Sequence, residues 1–300
     1  MPEIQAPADK KIKLIVNRIH NLPTPPLVFT QVNKVLQNPQ TSAYQIGSII
    51  SEDPALSAKI LKLTNSSFYG IPRTITSVKQ AIIILGLDVV RSLVLSASVF
   101  DTFAKNYKID KNYLDSFWRH SLSVASMARV ISRTKNFPSL LEAEEAFSAG
   151  LLHDIGKLVI FTHLPDEFIA IRTASQKDNT RQSWEIETEV LGFDHSMVGE
   201  YLAQKWNLPK ELAAAIRYHH CPEANQAGSI TTLIIHLSDY LTKKAELRDS
   251  EDDIATDIFH CSPLAWEKLG IDSTREDELI QLLQTEYMKA ETFLNMARGE

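Results

Sequence analysis

Cysteine is almost missing from this chain: Cys221 and Cys261 are the only two in 300 residues. That excludes a disulfide framework, and a reducing compartment fits. Glycine is scarce too. The ten glycines and thirteen prolines are read as punctuation between periodic segments. Long apolar runs are lacking. The two most apolar stretches, 81–90 and 92–100, are interrupted by Asp88 and Arg91, so neither reaches the roughly 18–20 residues of a membrane span. The first residues, MPEIQAPADKKIK, hold no basic segment followed by an apolar one. No signal peptide is therefore expected, and the expected location is the cytoplasm, with no membrane partner. Positive charge is not in excess: 31 Lys and Arg face 37 Asp and Glu, a net charge of −6 and a pI near 5.9. Direct nucleic-acid binding by a generally basic surface is not expected. What is present is ordinary for a globular chain able to bury a large core, with 44% hydrophobic and 23% charged residues.

The dominant period is helical. Ile12, Ile15, Val16 and Ile19 follow the spacing of one helix face, and Pro23, Pro25 and Pro26 end it. Val28, Val32, Val35 and Leu36 form the next stripe. Ser42 with Gln45, Ser77 with Gln80 and Ser139 with Glu142 have capping-box spacing. Asp53 before Pro54 reads as an N-cap and first-turn proline, and Gly86 as a helix end. Asp88 is expected to cap the apolar helix that follows. Further helices are expected near 111–134, through Leu151, from Asp194 to Trp206, from Pro209 into Tyr218, over 229–246 and over 275–297. No alternating strand pattern is evident, so the fold class is all-α. The polar stretch 246–254 reads as a linker or a solvated loop, and a softer boundary lies near 105–111. Residues beyond 246 are expected to pack on the rest, because Ile258, Phe259, Leu264, Trp266 and Leu269 would otherwise be exposed.

Chemistry gathers in the second half. His120 shares an apolar stripe with Val124 and Met127. His153 and Asp154 close a stripe of Phe147, Gly150 and Leu151. His195 is in register with Val198, Gly199 and Leu202, and His219 with Leu212 and Ile216, with His220 its neighbour. Asp239 follows Ile235 by one turn. These are imidazoles and carboxylates, ligands for Fe, Mn or Zn, and an aspartate can bridge two ions. Each has a plainer alternative. A histidine on an apolar face can be a hydrogen-bonded core residue. The His219-His220 pair can sit against a helix C-terminal dipole. Asp154 can be a buried helix cap, Asp239 a surface acid and Lys157 a solvated lysine. Asn65 and Ser66 read as structural, closing the last carbonyls of a helix. His20, His163, His236 and His260 are given no role, although His236 lies one turn before Asp239.

HDIGK at 153–157 resembles the signature of the HD superfamily of metal-dependent phosphohydrolases. The context is narrower. LPTPP (22–26), SEDPALSAKILKLTNSSFYG (51–70), AIIILGLDVVRSL (81–93), AGLLHDIGKL (149–158), EVLGFDHSMVGEYLAQKWNLP (189–209) and IRYHH (216–220) look like an HDOD domain. That resemblance implies a two-lobe helical architecture: an N-terminal lobe over 12–108, an HD-like lobe over 109–245 and a helical extension over 246–300. It also implies a bacterial signal-transduction module whose partners are signalling proteins or a nucleotide. HDOD domains are related to HD-GYP phosphodiesterases, and many have lost their ligands. Here the positions are kept. By resemblance, His120, His153, Asp154 and Asp239 hold one divalent ion, and Asp154 bridges to a second held by His195, His219 and His220. Lys157 faces the phosphate. The alternative is an active phosphohydrolase or phosphodiesterase acting on a nucleotide or cyclic dinucleotide. Two departures bear on it: CPEANQAG follows His219-His220 in place of a GYP sequence, and Ser116 stands where an acid often precedes the first histidine.

Overall fold

A computed structural model of the chain describes residues 27–36, 38, 40–66, 69–104, 110–134, 140–178, 180–225, 229–249 and 259–298. Among them no strand occurs, so the all-α class holds. The helix expected over Ile12–Ile19 and the Ser139–Glu142 capping box lie outside the described residues. No described helix is long and apolar enough to cross a membrane.

The chain divides into two compact units. One comprises the described residues within Pro23–Leu151 and Gln281–Glu300, the other those within Leu152–Ile280. The first contains α1 (Leu27–Leu36), α2 (Ala43–Ser51), α3 (Pro54–Thr64), α4 (Val78–Leu85), α5 (Leu87–Ala104), α6 (Lys111–Thr134) and α7 (Leu140–Leu152). The local signals act as the sequence predicts. Ser42 and Gln45 form the reciprocal box of α2, and Asp53 accepts from Leu56 N ahead of Pro54. Ser77 caps α4, but Gln80 Oε1 returns its bond to Thr76 N, one residue earlier than a capping box requires. Asp88 falls in the first turn of α5, where its charge meets the helix dipole, and not ahead of the helix. Asn65 is structural: it donates to Leu61 O and Ile75 O and accepts from Ile75 N. A buried Arg129–Glu144 ion pair at 3.4 Å links α6 and α7.

The second unit contains α8 (Ile155–His163), α9 (Pro165–Lys177), α10 (Ser183–Leu191), α11 (His195–Lys205), α12 (Lys210–Tyr218), α13 (Ile230–Asp249) and α14 (Pro263–Leu269). Helix α11 packs on α8 and α12, and α13 packs on α12 and α14. Leu158, Val159, Val198, Leu202, Leu212, Ile216, Ile235 and Leu237 fill the space between them. Each such side chain stabilises the fold by roughly 1.5–3 kcal/mol on burial.

Not every glycine is punctuation. A Cβ on Gly156 of α8 would lie 1.9 Å from His195 O, and one on Gly199 of α11 would lie 2.7 Å from Ile216 Cγ2. Glycine here permits α8 and α11 to cross at backbone contact and lets the Ile216 side chain of α12 pack directly onto α11. Of the C-terminal side chains expected to pack, Phe259 and Leu269 are buried and Leu264 and Trp266 half-buried, while Ile258 lies outside the described residues. The last helix, α15 (Glu276–Arg298), begins in the second unit, and its residues from Gln281 belong with the first.

Candidate metal centre

His153 and Asp154 occupy the short break between α7 and α8. Asp154 stands at the N-cap position of α8, yet its side chain makes no cap bond. The carboxylate is turned inward instead. Its Oδ1 lies 3.0 Å from His195 Nε2 and 3.5 Å from His219 Nε2, and its Oδ2 lies 2.7 Å from Lys157 Nζ and 3.3 Å from His153 Nε2. The close crossing at Gly156 delivers His195, the first residue of α11, to this point. Asp194 caps that helix by accepting from Met197 N. His219 and His220 follow the last turn of α12. His195 Nε2 is 3.4 Å from His219 Nε2 and 2.9 Å from His220 Nε2.

One ligand atom from each of Asp154, His195, His219 and His220 thus falls within a 4.8 Å cluster. Atoms about 2.0–2.2 Å from a common ion stand about 3.0–3.5 Å apart, which matches these separations. The other ring nitrogens explain why the Nε2 atoms point inward. His219 Nδ1 donates to Ile216 O at 2.8 Å, and His195 Nδ1 donates to Glu187 Oε2 at 2.7 Å. Such outer partners fix the tautomer and aim a ligating imidazole. Three imidazoles and one carboxylate are a sound donor set for a divalent transition metal. The residues present fit such an ion.

The electrostatics divide the imidazoles. Burial pushes the Asp154 carboxyl up, but His153, Lys157 and His195 outweigh it and hold it well below the usual carboxylate range. Burial pulls His195 down, yet the Glu187 and Asp154 carboxylates overcome it, against Lys157, and raise it to about 9. Burial takes His219 down to about 4 and drives His220 well below its ordinary value. Both are therefore neutral lone-pair donors at pH 7.

The remaining expected residues are placed as follows. His153 Nε2 is 3.8 Å from Asp239 Oδ1, and Lys243 Nζ is 3.0 Å from Asp239 Oδ2. Both Asp154 and Asp239 thus carry a lysine on one oxygen and face imidazole with the other. Lys157, expected to face a phosphate, forms an ion pair with Asp154. His120 stands half-buried on α6 of the other unit.

Sequence reasoning missed three contributors. Glu187 is one acid among Glu185, Glu187 and Glu189, and nothing in that spacing singles it out. Lys243 follows Asp239 by four residues, a pairing visible in principle. Trp184 lies parallel to the His220 ring at 5.9 Å between centroids. His236, given no role in the sequence reading, uses both ring nitrogens on backbone: Nδ1 donates to His219 O and Nε2 accepts from Ser262 N.

Comparison with known proteins adds the family context. The model of the HDOD domain matches residues 22–222. An uncharacterized protein of Treponema pallidum (strain Nichols) is 25% identical over 218 residues, covering 73% of this chain and 41% of that protein. The chain spans less than half the length of the curated relatives it matches. A candidate phosphohydrolase from Shewanella amazonensis SB2B, solved as a crystal structure, is 25% identical with a TM-score of 0.65, covering 90% of this chain and 97% of its own. An HDOD domain protein of unknown function from Geobacter sulfurreducens is 22% identical with a TM-score of 0.71 over 96% of both chains, a likeness of fold.

Proposed function

The chain belongs to the HDOD domain family, and from that premise we propose that it is a cytoplasmic regulatory module of signal transduction that retains an HD-type metal site. The observation that carries this reading is the convergence of Asp154, His195, His219 and His220, with ligand atoms within 4.8 Å of one another. A bound divalent ion, Fe, Mn or Zn, supplies Lewis acidity and a water of lowered pKa. The chain supplies the cage: Glu187 and the Ile216 carbonyl orient two rings, and Lys157 neutralises the far oxygen of Asp154. A second ion, held by His153 and Asp239 with Asp154 bridging, completes the proposal; it rests on the family resemblance, and the 3.8 Å approach of His153 to Asp239 supports it. The partner in this reading is a signalling protein or a nucleotide.

The second reading, a metal-dependent phosphohydrolase or phosphodiesterase acting on a nucleotide, is favoured by Lys157. Its ammonium lies beside the metal-binding carboxylate and is the cation that would meet a phosphate oxygen. The likeness to the Shewanella amazonensis candidate phosphohydrolase supports it as well.

Elemental analysis of the purified protein tests the site. The wild-type chain is expected to carry transition metal and Asp154→Ala almost none; equal metal content in the two overturns the assignment. Hydrolysis of an aryl phosphodiester by the metal-loaded protein, lost in Lys157→Ala at unchanged metal content, selects the enzyme. An absence of turnover selects the regulatory module.

A further inference from the structure

We infer that Glu187 is a positioning residue of the metal site, a carboxylate whose charge acts on the metal through His195. The inference rests on the metal-binding reading and goes beyond its ligand set. Glu187 lies on α10, eight residues before His195, and is 5% exposed. Its Oε2 accepts twice from the same residue, from the backbone N–H of His195 at 2.7 Å and from its Nδ1–H at 2.7 Å. One oxygen therefore holds both the start of α11 and the ring that α11 presents. The ring can turn about χ2 only by breaking the second bond, so Nε2 stays aimed at Asp154 Oδ1, 3.0 Å away.

A carboxylate in this place does more than hold geometry. Its negative charge strengthens the imidazole as a donor at Nε2, and such outer-sphere partners change metal affinity by roughly 10–100-fold when removed. The contrast with His219 sharpens the point. That ring is held by a neutral backbone carbonyl, Ile216 O, which cannot be altered by a side-chain substitution. Glu187 is therefore the handle by which a side chain sets the strength of this site.

The test separates charge from shape. Glu187→Gln keeps the length, and its amide oxygen can accept the same two hydrogen bonds, so a merely structural role predicts unchanged binding. Cobalt(II) or zinc affinity is measured by chelator competition for the full-length wild type, Glu187→Gln and Asp154→Ala, beside thermal unfolding of the metal-free forms. The expected result is a loss of roughly 10-fold or more for Glu187→Gln, with metal-free melting close to wild type. Affinity within about twofold of wild type, while Asp154→Ala loses the metal, overturns the inference and leaves the metal reading standing. No metal in the wild type overturns the reading and the inference with it. Should Glu187→Gln fail to fold, ¹⁵N resonances of the His195 ring in zinc-loaded wild type decide: Nδ1 protonated and Nε2 metal-bound supports the inference, and the reverse sinks it.

Discussion

At the scale of single residues, the partners of a buried imidazole settle what it can do. His195, His219 and His236 are all buried, and each follows the same helical stripes. His236 has both nitrogens committed to backbone, and burial lowers its pKa, so it remains a neutral strut between α13 and the segment at Ser262. His195 and His219 commit only Nδ1 outward and turn Nε2 to Asp154. This distinction predicts different losses. His236→Phe leaves the His219 carbonyl and the Ser262 amide without their partner, a cost of about 1–3 kcal/mol, and leaves metal content unchanged. Chemical denaturation with elemental analysis of the folded variant checks both halves. Loss of metal together with stability would place His236 in the site. His195 and His236 could not be told apart in the sequence, because the groups that divide them, Glu187 and Ser262, lie 8 and 26 residues away along the chain.

At the scale of elements, the site depends on how closely helices approach. The chain from α8 through α11 to α12 is drawn together at Gly156 and Gly199, and only then can groups at 154, 195 and 219 meet. A methyl group at position 156 would meet the His195 carbonyl at 1.9 Å, a backbone atom with no soft direction in which to yield. Gly156→Ala is therefore expected to cost about 3 kcal/mol, the upper part of the range for overpacking, and to weaken metal binding by displacing His195. Gly47 in α2 is the matched control. A Cβ there finds its neighbours at 3.6 Å, ordinary contact, so Gly47→Ala should stabilise by about 0.5–1 kcal/mol. Urea midpoints of the two variants, read beside chelator competition, check the pair; equal midpoints would show that the crossing tolerates a methyl group. Helix starts and stops were readable because they are local: Ser42 with Gln45, Asp53 with Pro54, and Gly86 with its φ of 94°. Gly156 and Gly199 were not readable as crossing points, since a glycine inside a helical pattern looks the same whether a helix or solvent faces it.

At the scale of the whole molecule, the four clustered candidate ligands come from one unit, within Leu152–Ile280. An ion bound there stabilises the folded state of that unit by RT ln(1 + [L]/Kd), about 4 kcal/mol at 1,000 times Kd. Chelation is thus expected to speed amide hydrogen exchange most in α8, α11 and α12, with little change in α2, α3 and α4. Exchange mapped by mass spectrometry, with and without chelator, checks this, and uniform change along the chain would contradict it. The sequence by itself determined the all-α class, most of the helix limits and the set of candidate ligands, because periodicity, capping and residue chemistry act within a few residues. Tertiary structure decided the rest. It turned the Asp154 carboxylate away from the helix start it stands at and onto the imidazoles, joined Glu187 to His195 and Lys157 to Asp154, and turned His236 to the backbone. Each of those outcomes is a hydrogen bond or ion pair, and such bonds form only at distances set by how the helices pack.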